Sequence, residues 1–340
     1  MNIKIWSDIQ KIVSSKLPFS ELKNKTITIF GATGQIGTAF VQTLNELNKQ
    51  YDLNMTCCFV GRSVPKMLRL KEIFKNAWII NNNELSEISI PSNYIVYLAC
   101  PTKSSDFVDR PYSTLSDILT LNKKVADHAF LTRGRIVYVS SVEVYGFCDT
   151  EDVTEDTRGI LDFNSFRSSY PEGKRLSELY FLSLAKEKGL DVRILRPTLT
   201  FGGAILPHDN RVYAQFIRSI LNNKDIVLHT EGKSKRDYLY VFDMIRALLI
   251  VLLLGKSGEA YNISNPKSYC SIREMAELAA SLSRDSKVVY QPQENCGYAP
   301  EVHIRLNNDK INKLYYFKRT SLAEMFKTAI LLTQEAEDAK

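Results

Sequence analysis

The sequence has little that points to a membrane, a metal or a disulfide framework. Its longest apolar run, Ala247 to Leu254, is far too short to cross a bilayer, and the first residues lack the apolar core of a signal peptide. The six cysteines form no C-x-x-C pair, and the four histidines show no metal spacing. We therefore expect a cytoplasmic protein with reduced cysteines, no metal site and no membrane segment.

The chain also has no long basic block, no internal repeat and no low-complexity tract. Its 44 basic and 38 acidic residues are scattered, so the net charge of +6 does not predict a nucleic-acid partner, although it is compatible with a small polyanion such as a nucleotide. With 340 residues and 44% hydrophobic content, the chain is long enough for one large core with a smaller lobe, or for two domains.

A glycine-rich turn is the clearest local signal. The apolar run Ile27 to Phe30 leads directly into Gly31-x-x-Gly34-x-x-Gly37 and then into a helical pattern. This order of strand, tight turn and helix is typical of a dinucleotide-binding site, where the pyrophosphate meets free N–H groups at the helix N-terminus. Gly31 allows the turn, Gly34 lets the backbone approach the phosphates, and Gly37 lets the helix pack closely on the strand.

Strands and helices then alternate along the chain, which predicts a doubly wound parallel sheet whose ligands bind at the carboxyl ends of the strands. We predict an N-terminal helical extension over residues 1–25 that caps the fold or a partner subunit. A Rossmann-type dinucleotide-binding domain follows over residues 26–198. A smaller α/β lobe that mainly binds substrate covers residues 199–340. The predicted strands are Ile27–Phe30, Met55–Val60, Ala77–Ile80, Tyr94–Cys100, Arg135–Ser141 and Val192–Leu195, and the predicted helices include 113–130, 169–188, 212–221, 243–254 and 272–282.

The residue after the second strand bears on the choice of cofactor. Many NAD-binding folds place an acid there for the adenosine ribose, whereas this chain has Arg62. An arginine stacks on adenine or pairs with a 2′-phosphate, so NADP is the alternative to NAD.

A Tyr-x-x-x-Lys pair marks the chemistry. Residues four apart share one face of a helix, so Lys174 lies beside the phenol of Tyr170 and favours its phenolate. The pair opens a predicted helix and follows Ser141, which ends the fifth strand at the ligand-binding edge. We predict that Tyr170 is a general base and that Ser141 shares a hydrogen bond with the substrate hydroxyl.

Together, the glycine turn, Ser140-Ser141, Tyr170-x-x-x-Lys174 and Arg196-Pro197 resemble the extended short-chain dehydrogenase/reductases, specifically the NAD-dependent epimerase/dehydratase family that acts on nucleotide sugars. The resemblance runs from about residue 24 to residue 330. Further segments look most like UDP-glucuronate decarboxylases, and next like sugar-nucleotide 4,6-dehydratases. These segments are Ser141–Gly146, Arg167–Arg175, Thr200–Gly202, Asp209–Val212 and Lys235–Val241.

The resemblance implies a reaction in which the sugar C4 hydroxyl is oxidised to a 4-keto intermediate, with Glu143 as acid/base near C5 and loss of CO₂ from a uronic acid. It implies a role in polysaccharide biosynthesis. The implied catalytic residues are Ser141, Glu143, Tyr170 and Lys174. The implied cofactor-binding residues are Gly31, Thr33, Gly34, Gln35, Ile36, Gly37, Arg62, Ala99, Tyr170, Lys174 and Pro197, and the implied substrate-binding residues are Thr102, Arg167, Arg211, Arg236 and Arg305.

Three positions depart from the family pattern. Val142 stands where the decarboxylases have serine and the 4,6-dehydratases have aspartic acid, Leu199 stands where a substrate-binding asparagine is usual, and Gly203 replaces a proline. Because Val142 cannot transfer a proton, dehydration lacks its expected acid. Epimerisation is therefore the main alternative reaction, followed by 4,6-dehydration, NADPH-dependent reduction of a 4-keto sugar, and non-catalytic NAD(P) binding.

The resemblance also implies a homodimer. We expect it to form through the helices near 113–130 and 169–188, because their apolar residues exceed what one sheet face needs. These residues include Leu115, Ile118, Leu119, Leu176, Leu179 and Leu182.

Overall fold

The computed structural model describes residues 2–84, 90–101, 103–207, 209–293 and 301–338. The helices are α1 Ile3–Val13, α2 Gln35–Gln50, α3 Val64–Ile73, α4 Ser104–Asp109, α5 Pro111–Thr132, α6 Ser169–Lys188, α7 Val212–Leu221, α8 Val241–Leu254, α9 Ile272–Ala280, α10 Asp309–Leu314 and α11 Leu322–Asp338. The strands are β1 Thr26–Phe30, β2 Thr56–Gly61, β3 Ala77–Asn81, β4 Tyr94–Tyr97, β5 Arg135–Val139, β6 Asp152–Val153, β7 Val192–Pro197, β8 Leu199–Phe201, β9 Ile226–Leu228, β10 Lys235–Tyr240, β11 Glu259–Ile263, β12 Asn265–Ser271, β13 Val288–Tyr290 and β14 His303–Leu306.

Within these residues, seven strands form one parallel sheet in the order β3-β2-β1-β4-β5-β7-β11. Alternate residues of each strand enter different cores. In β1, Ile27 and Ile29 pack with α2 and α8, whereas Phe30 packs on the opposite face with α5 and α6. Strands buried on both faces need apolar residues at successive positions, which explains the apolar runs in the sequence. The predicted doubly wound sheet is confirmed.

Two predicted strands are longer than the observed ones, and both end where the chain turns over the edge of the sheet. Tyr94 to Cys100 was expected to be extended, but β4 stops at Tyr97 because the N–H groups of Leu98 and Ala99 both donate to the carbonyl of Phe30. Similarly, β5 stops at Val139 rather than Ser141. The residues after each strand are thereby directed into the edge where ligands bind.

The C-terminal segment forms most of a smaller lobe. Within the described ranges, β12, β10, β14 and β6 form a second sheet, with β8 also paired to β10, and β13 pairs with β9. This segment also returns to the large sheet, because β11 pairs with β7 and α8 packs against β5 and β7. Each of the two larger sheets therefore contains one strand from the other side of residue 198, and the domain division at that residue stays a prediction.

The N-terminal helix α1 packs on this chain itself. Its apolar face, which includes Ile9, Ile12 and Val13, is buried against α2 and α8. The Tyr240 hydroxyl donates to the Asp8 carboxylate at 2.7 Å, which joins α1 to the end of β10. This face of α1 is therefore covered by its own chain. In the described part of the chain, no helix is long and apolar enough to cross a membrane.

Candidate active site

The glycine turn between β1 and α2 is tightly packed. Gly31 has a φ of +87°, and a Cβ there would lie 2.7 Å from the backbone nitrogen of Ala99. A Cβ on Gly37 would lie 2.4 Å from the Gly31 carbonyl oxygen. Helix α2 begins after Gly34, which has no side chain to cap it, so the N–H groups of its first turn remain available to an anion.

A cleft of about 1980 Å³ lies at the carboxyl ends of β1, β2, β4, β5 and β7. Every residue predicted to bind the cofactor lines this cleft, namely Gly31, Thr33, Gly34, Gln35, Ile36, Gly37, Arg62, Ala99, Tyr170, Lys174 and Pro197. A side chain at Gly31 or Gly37 would overlap the chain's own backbone, so these two glycines allow the tight turn and the close packing of α2 on β1. Arg62 follows β2 as predicted and has no ion pair among the described residues.

Tyr170, Lys174 and Ser141 all line this cleft. Tyr170 lies in the first turn of α6, and the Lys174 ammonium is 5.9 Å from its ring centroid. Lys174 is almost fully buried, and its Nζ donates to the Val139 carbonyl at 2.8 Å. Ser141 begins the 3₁₀ helix Val142–Tyr145, and its Oγ accepts from the Glu143 N–H at 3.2 Å. The structure thus brings together the predicted base, its lysine and the predicted serine.

The two effects on the Tyr170 phenol oppose each other. Burial raises its pKa above the ordinary value, and the Lys174 charge lowers it only in part. Lys174 therefore acts in the predicted direction without outweighing burial.

Glu143 is held by an arginine that was predicted to contact substrate instead. A guanidinium nitrogen of Arg167 donates to the Glu143 carboxylate at 2.7 Å. The same guanidinium lies over the ring of Phe107, at 5.0 Å from its centroid. Phe107 stacks on Tyr170 with a centroid separation of 4.4 Å and an angle of 8° between the rings.

Sequence reasoning missed Phe107. The available signal was weak, since the residue is simply the first aromatic after the predicted strand Tyr94–Cys100. Its stacking on Tyr170 depends on how α4 docks against α6, which no local pattern reports.

The predicted substrate-binding arginines are placed differently from one another. Arg236 lines the cleft and has no ion pair among the described residues, whereas Arg211 lines it while pairing with Asp209 at 2.6 Å. Arg305 lies outside the cleft lining, 3.5 Å from Asp152, with its guanidinium over Tyr269. The structure therefore does not bring Arg305 to the site.

Four other positions were singled out from the sequence, namely Thr102, Val142, Leu199 and Gly203. Thr102 lies outside the described residues. The unusual residues Val142, Leu199 and Gly203 all line the cleft. Among the described residues, no group of three or more His, Cys, Asp or Glu side chains is arranged to hold a metal ion.

The chain is similar to known proteins in both sequence and fold. The family model described as "NAD dependent epimerase/dehydratase family" matches residues 27–264. UDP-glucuronic acid decarboxylase 1 of Danio rerio is 28% identical over 77% of this chain and 62% of its own length. UDP-glucuronic acid decarboxylase 3 of Arabidopsis thaliana is 28% identical over 77% of this chain and 76% of its own length. This chain thus spans less than two thirds of the zebrafish relative.

A solved structure supports the fold across nearly the whole chain. The epimerase structure from Methanothermobacter thermautotrophicus superposes with a TM-score of 0.80 and 20% identity, covering 98% of this chain and 97% of the other. At this identity, the likeness concerns the fold alone.

Proposed function

Because the chain belongs to the NAD dependent epimerase/dehydratase family, we propose that it oxidises the C4 hydroxyl of a nucleotide sugar and that its preferred reaction is the decarboxylation of UDP-glucuronate. The family resemblance read from the sequence is confirmed, and membership makes the chain an enzyme with NAD as cofactor. The choice of reaction is supported by the relatives named UDP-glucuronic acid decarboxylase, at 28% identity.

The residues around the glycine turn fit NAD. The N–H groups that begin α2 and the backbone surface left open at Gly34 suit a pyrophosphate, and Arg62 suits the adenosine end. When bound, NAD supplies a hydride acceptor and donor for the sugar C4 together with a positively charged ring. That charge adds to the charge of Lys174, which lowers the pKa of Tyr170 only in part.

Tyr170 is the base for the C4 hydroxyl in this proposal. Its position beside the buried Lys174 is the single observation that carries the oxidation step, because the two side chains meet at the carboxyl edge of the sheet. Ser141 lies after β5 at the same edge, where its hydroxyl can hold the C4 oxygen while Tyr170 takes the proton.

Glu143 is the acid/base for the second half of the reaction. Once C4 is a ketone, a C6 carboxylate is that of a β-keto acid, and loss of CO₂ leaves the electron pair on C5. In this proposal the Glu143 carboxylate, which lines the cleft two residues from Ser141, takes a proton from water and transfers it to C5. Val142 has no proton to transfer, which disfavours 4,6-dehydration.

Arg236 is the cation proposed to hold the diphosphate or the sugar carboxylate. It faces a cleft in which its charge has no carboxylate partner among the described residues. A planar guanidinium binds such oxyanions through two parallel hydrogen bonds.

Epimerisation is the second candidate, and Val142 and Leu199 are the observations that favour it. Both replace polar residues of the decarboxylase pattern and both line the cleft. Inverting a C4 or C5 centre requires Tyr170 and Lys174 but no polar group at these two positions.

The proposal is tested by incubating the purified protein with UDP-glucuronate and NAD⁺ and identifying the products by mass spectrometry and NMR. Loss of the mass of CO₂ supports decarboxylation, and an unchanged mass with one inverted centre identifies an epimerase. Oxidation of added NADPH by a 4-keto sugar would identify a reductase. An unchanged UDP-glucuronate contradicts the substrate assignment and directs the assay to dTDP-, CDP- and GDP-hexoses.

The variant Tyr170→Phe tests the base. It removes the hydroxyl and keeps the ring that stacks on Phe107, so the site should remain folded and still bind NAD. We expect turnover to fall by about 10²- to 10⁴-fold, which is the usual contribution of a positioned acid or base. Turnover close to that of the wild type would show that another group removes the proton.

A further inference from the structure

Arg167 contacts two parts of the active site at once. One of its nitrogens donates to the Glu143 carboxylate at 2.7 Å, and its guanidinium plane lies over Phe107 at 5.0 Å from the ring centroid. About 39% of the Arg167 side chain is exposed, so the ion pair is at the edge of the cleft. One contact is a hydrogen bond from a guanidinium nitrogen and the other places the guanidinium carbon over an aromatic ring, a combination that lysine reproduces poorly.

Phe107 contacts both the Arg167 guanidinium and the Tyr170 ring. It is almost fully buried, and its ring is nearly parallel to the Tyr170 ring at 4.4 Å. Its backbone is fixed as well, because the Ser169 hydroxyl donates to the Phe107 carbonyl at 3.0 Å. The orientation of the Tyr170 ring is therefore set by Phe107 across the α4–α6 contact.

The charge distribution separates Arg167 from a substrate-binding arginine. Its charge is already matched by Glu143, whereas Arg236 lines the same cleft without an ion pair among the described residues. An incoming diphosphate is attracted more strongly to the unmatched charge, since binding to Arg167 would require breaking its ion pair with Glu143.

We infer that Arg167 is a positioning residue, which orients the Glu143 carboxylate and, through Phe107, couples it to the ring of Tyr170. This inference rests on the proposed roles of Glu143 and Tyr170. It replaces the expectation that Arg167 binds substrate directly. Arg167 then acts mainly on the proton transfer at C5, through its direct contact with Glu143, and Phe107 acts mainly on the oxidation at C4, through its direct contact with Tyr170.

The first test compares Arg167→Gln with Phe107→Leu, using UDP-glucuronate deuterated at C4. Loss of a hydrogen bond to a charged group costs about 10- to 100-fold, so kcat of Arg167→Gln should fall by about that factor with little change in KM. The isotope effect on kcat should shrink in Arg167→Gln, because the later step becomes slower. It should grow in Phe107→Leu, because oxidation becomes slower. Equal isotope effects in the two variants would overturn the division of roles.

The second test asks whether Arg167 contacts substrate, by calorimetric titration with UDP alone. Arg167→Gln should bind UDP like the wild type, whereas Arg236→Gln should bind it about 10- to 100-fold more weakly. The matched control is Arg158→Gln, which removes an exposed arginine outside the cleft and should change neither UDP affinity nor kcat. A loss of UDP affinity in Arg167→Gln as large as in Arg236→Gln would make Arg167 a substrate ligand instead.

Two further variants distinguish positioning from general damage. Arg167→Lys keeps the charge and should recover part of kcat, and Arg167→Gln should cost little further in a Glu143→Gln background because the group it positions is gone. Additive losses would contradict the inference.

A crystal structure of Arg167→Gln gives a result that requires no turnover. A displaced Glu143 carboxylate supports the inference, and an unmoved one overturns it. If the wild type leaves UDP-glucuronate unchanged, the proposed function fails, while the crystal structure and the UDP titration still decide the role of Arg167.

Discussion

Asp237 has a buried carboxyl group, and one of its two oxygens has no hydrogen-bond partner among the described residues. It lies in β10 next to Arg236, its Oδ2 accepts from the Leu306 N–H at 2.9 Å, and its buried Oδ1 has no partner among the described residues. Burial raises its pKa from 3.8 to about 6. The folded state therefore holds this proton more tightly than the unfolded chain does. The stability that it contributes is complete below pH 3.8 and is lost as the pH rises through about 6.

The variant Asp237→Asn should lose this pH dependence. An amide keeps an oxygen for the Leu306 N–H and cannot ionise, so the free energy of unfolding of the variant relative to the wild type should rise from pH 4 to pH 7.5. The shift from 3.8 to about 6 corresponds to at most about 3 kcal/mol. Denaturant unfolding across this pH range measures the difference.

The matched control for Asp237 is Asp156→Asn, at an exposed aspartate. Its unfolding curve should remain parallel to that of the wild type at every pH. Asp243, whose pKa burial also raises to about 6, should keep part of the slope in Asp237→Asn. A wild-type slope fully retained in Asp237→Asn would show that this carboxylate does not titrate in the folded protein.

At the scale of single residues, the sequence predicted those parts of the site whose residues are separated by short, regular spacings along the chain. The glycine turn places Gly31 and Gly37 at the cleft, and one turn of helix α6 places Tyr170 and Lys174 there. It did not predict Phe107, nor the ion pair between Arg167 and Glu143. Those contacts join segments far apart in sequence, and no local period encodes them.

Among the elements, the β1–α2 unit depends most on glycine, but its three glycines are not equivalent. A Cβ on Gly37 would lie 2.4 Å from the Gly31 oxygen and 2.6 Å from the Ala32 oxygen, both of which belong to the backbone and cannot rotate away. A Cβ on Gly34 would meet nothing nearer than the Gly31 oxygen at 3.5 Å, and the φ of Gly34 is −75°. Packing of the helix on the strand therefore requires glycine at Gly37 but not at Gly34.

Gly37→Ala should destabilise the fold, and Gly34→Ala should not. Forcing an added methyl into a packed site costs about 1 to 3 kcal/mol, and more where only backbone can move, whereas alanine at the helix N-cap costs about 1 kcal/mol or less relative to glycine. Thermal unfolding without cofactor measures this difference.

The affinity for NAD should distinguish the function of Gly34 from that of Gly37. Gly34→Ala should fold like the wild type and bind NAD more weakly, because its methyl occupies the surface that the phosphates approach. Wild-type stability in Gly37→Ala would contradict the packing argument, and wild-type NAD affinity in Gly34→Ala would contradict the phosphate role of Gly34.

Element boundaries were predictable where the periodicity is strong. Helices α6 and α7 have the predicted bounds, Ser169–Lys188 and Val212–Leu221. The return of β11 to the large sheet was not predicted. Strand β11 pairs with β7, for example Tyr261 with Leu195. The sequence of a short strand does not indicate which sheet it joins, because its pattern is the same in either sheet.

The whole molecule leaves apolar side chains exposed on α5 and α6. Leu179 is 64% exposed, and Leu119 and Leu176 are also exposed. Ile118, which was expected to join them at an interface, is instead buried within the chain, where it packs against Gly173 of α6. Helices α5 and α6 thus pack on each other and present one apolar face outward. A surface of this kind, repeated on a second copy, suits the twofold symmetric interface of the proposed homodimer.

Replacing Leu179 by lysine should convert the proposed dimer into a monomer of 38.8 kDa. In a twofold interface each substitution appears twice, so two charges would lose water without gaining partners, which costs far more than the lost apolar contact. Sedimentation velocity over a range of protein concentrations measures the change. The control is Leu68→Lys on α3, because Leu68 is also exposed and α3 lies away from α5 and α6. The dimer should persist in this variant. A wild-type protein that sediments as a monomer, or a Leu179→Lys variant that remains dimeric, would show that this face is not the interface.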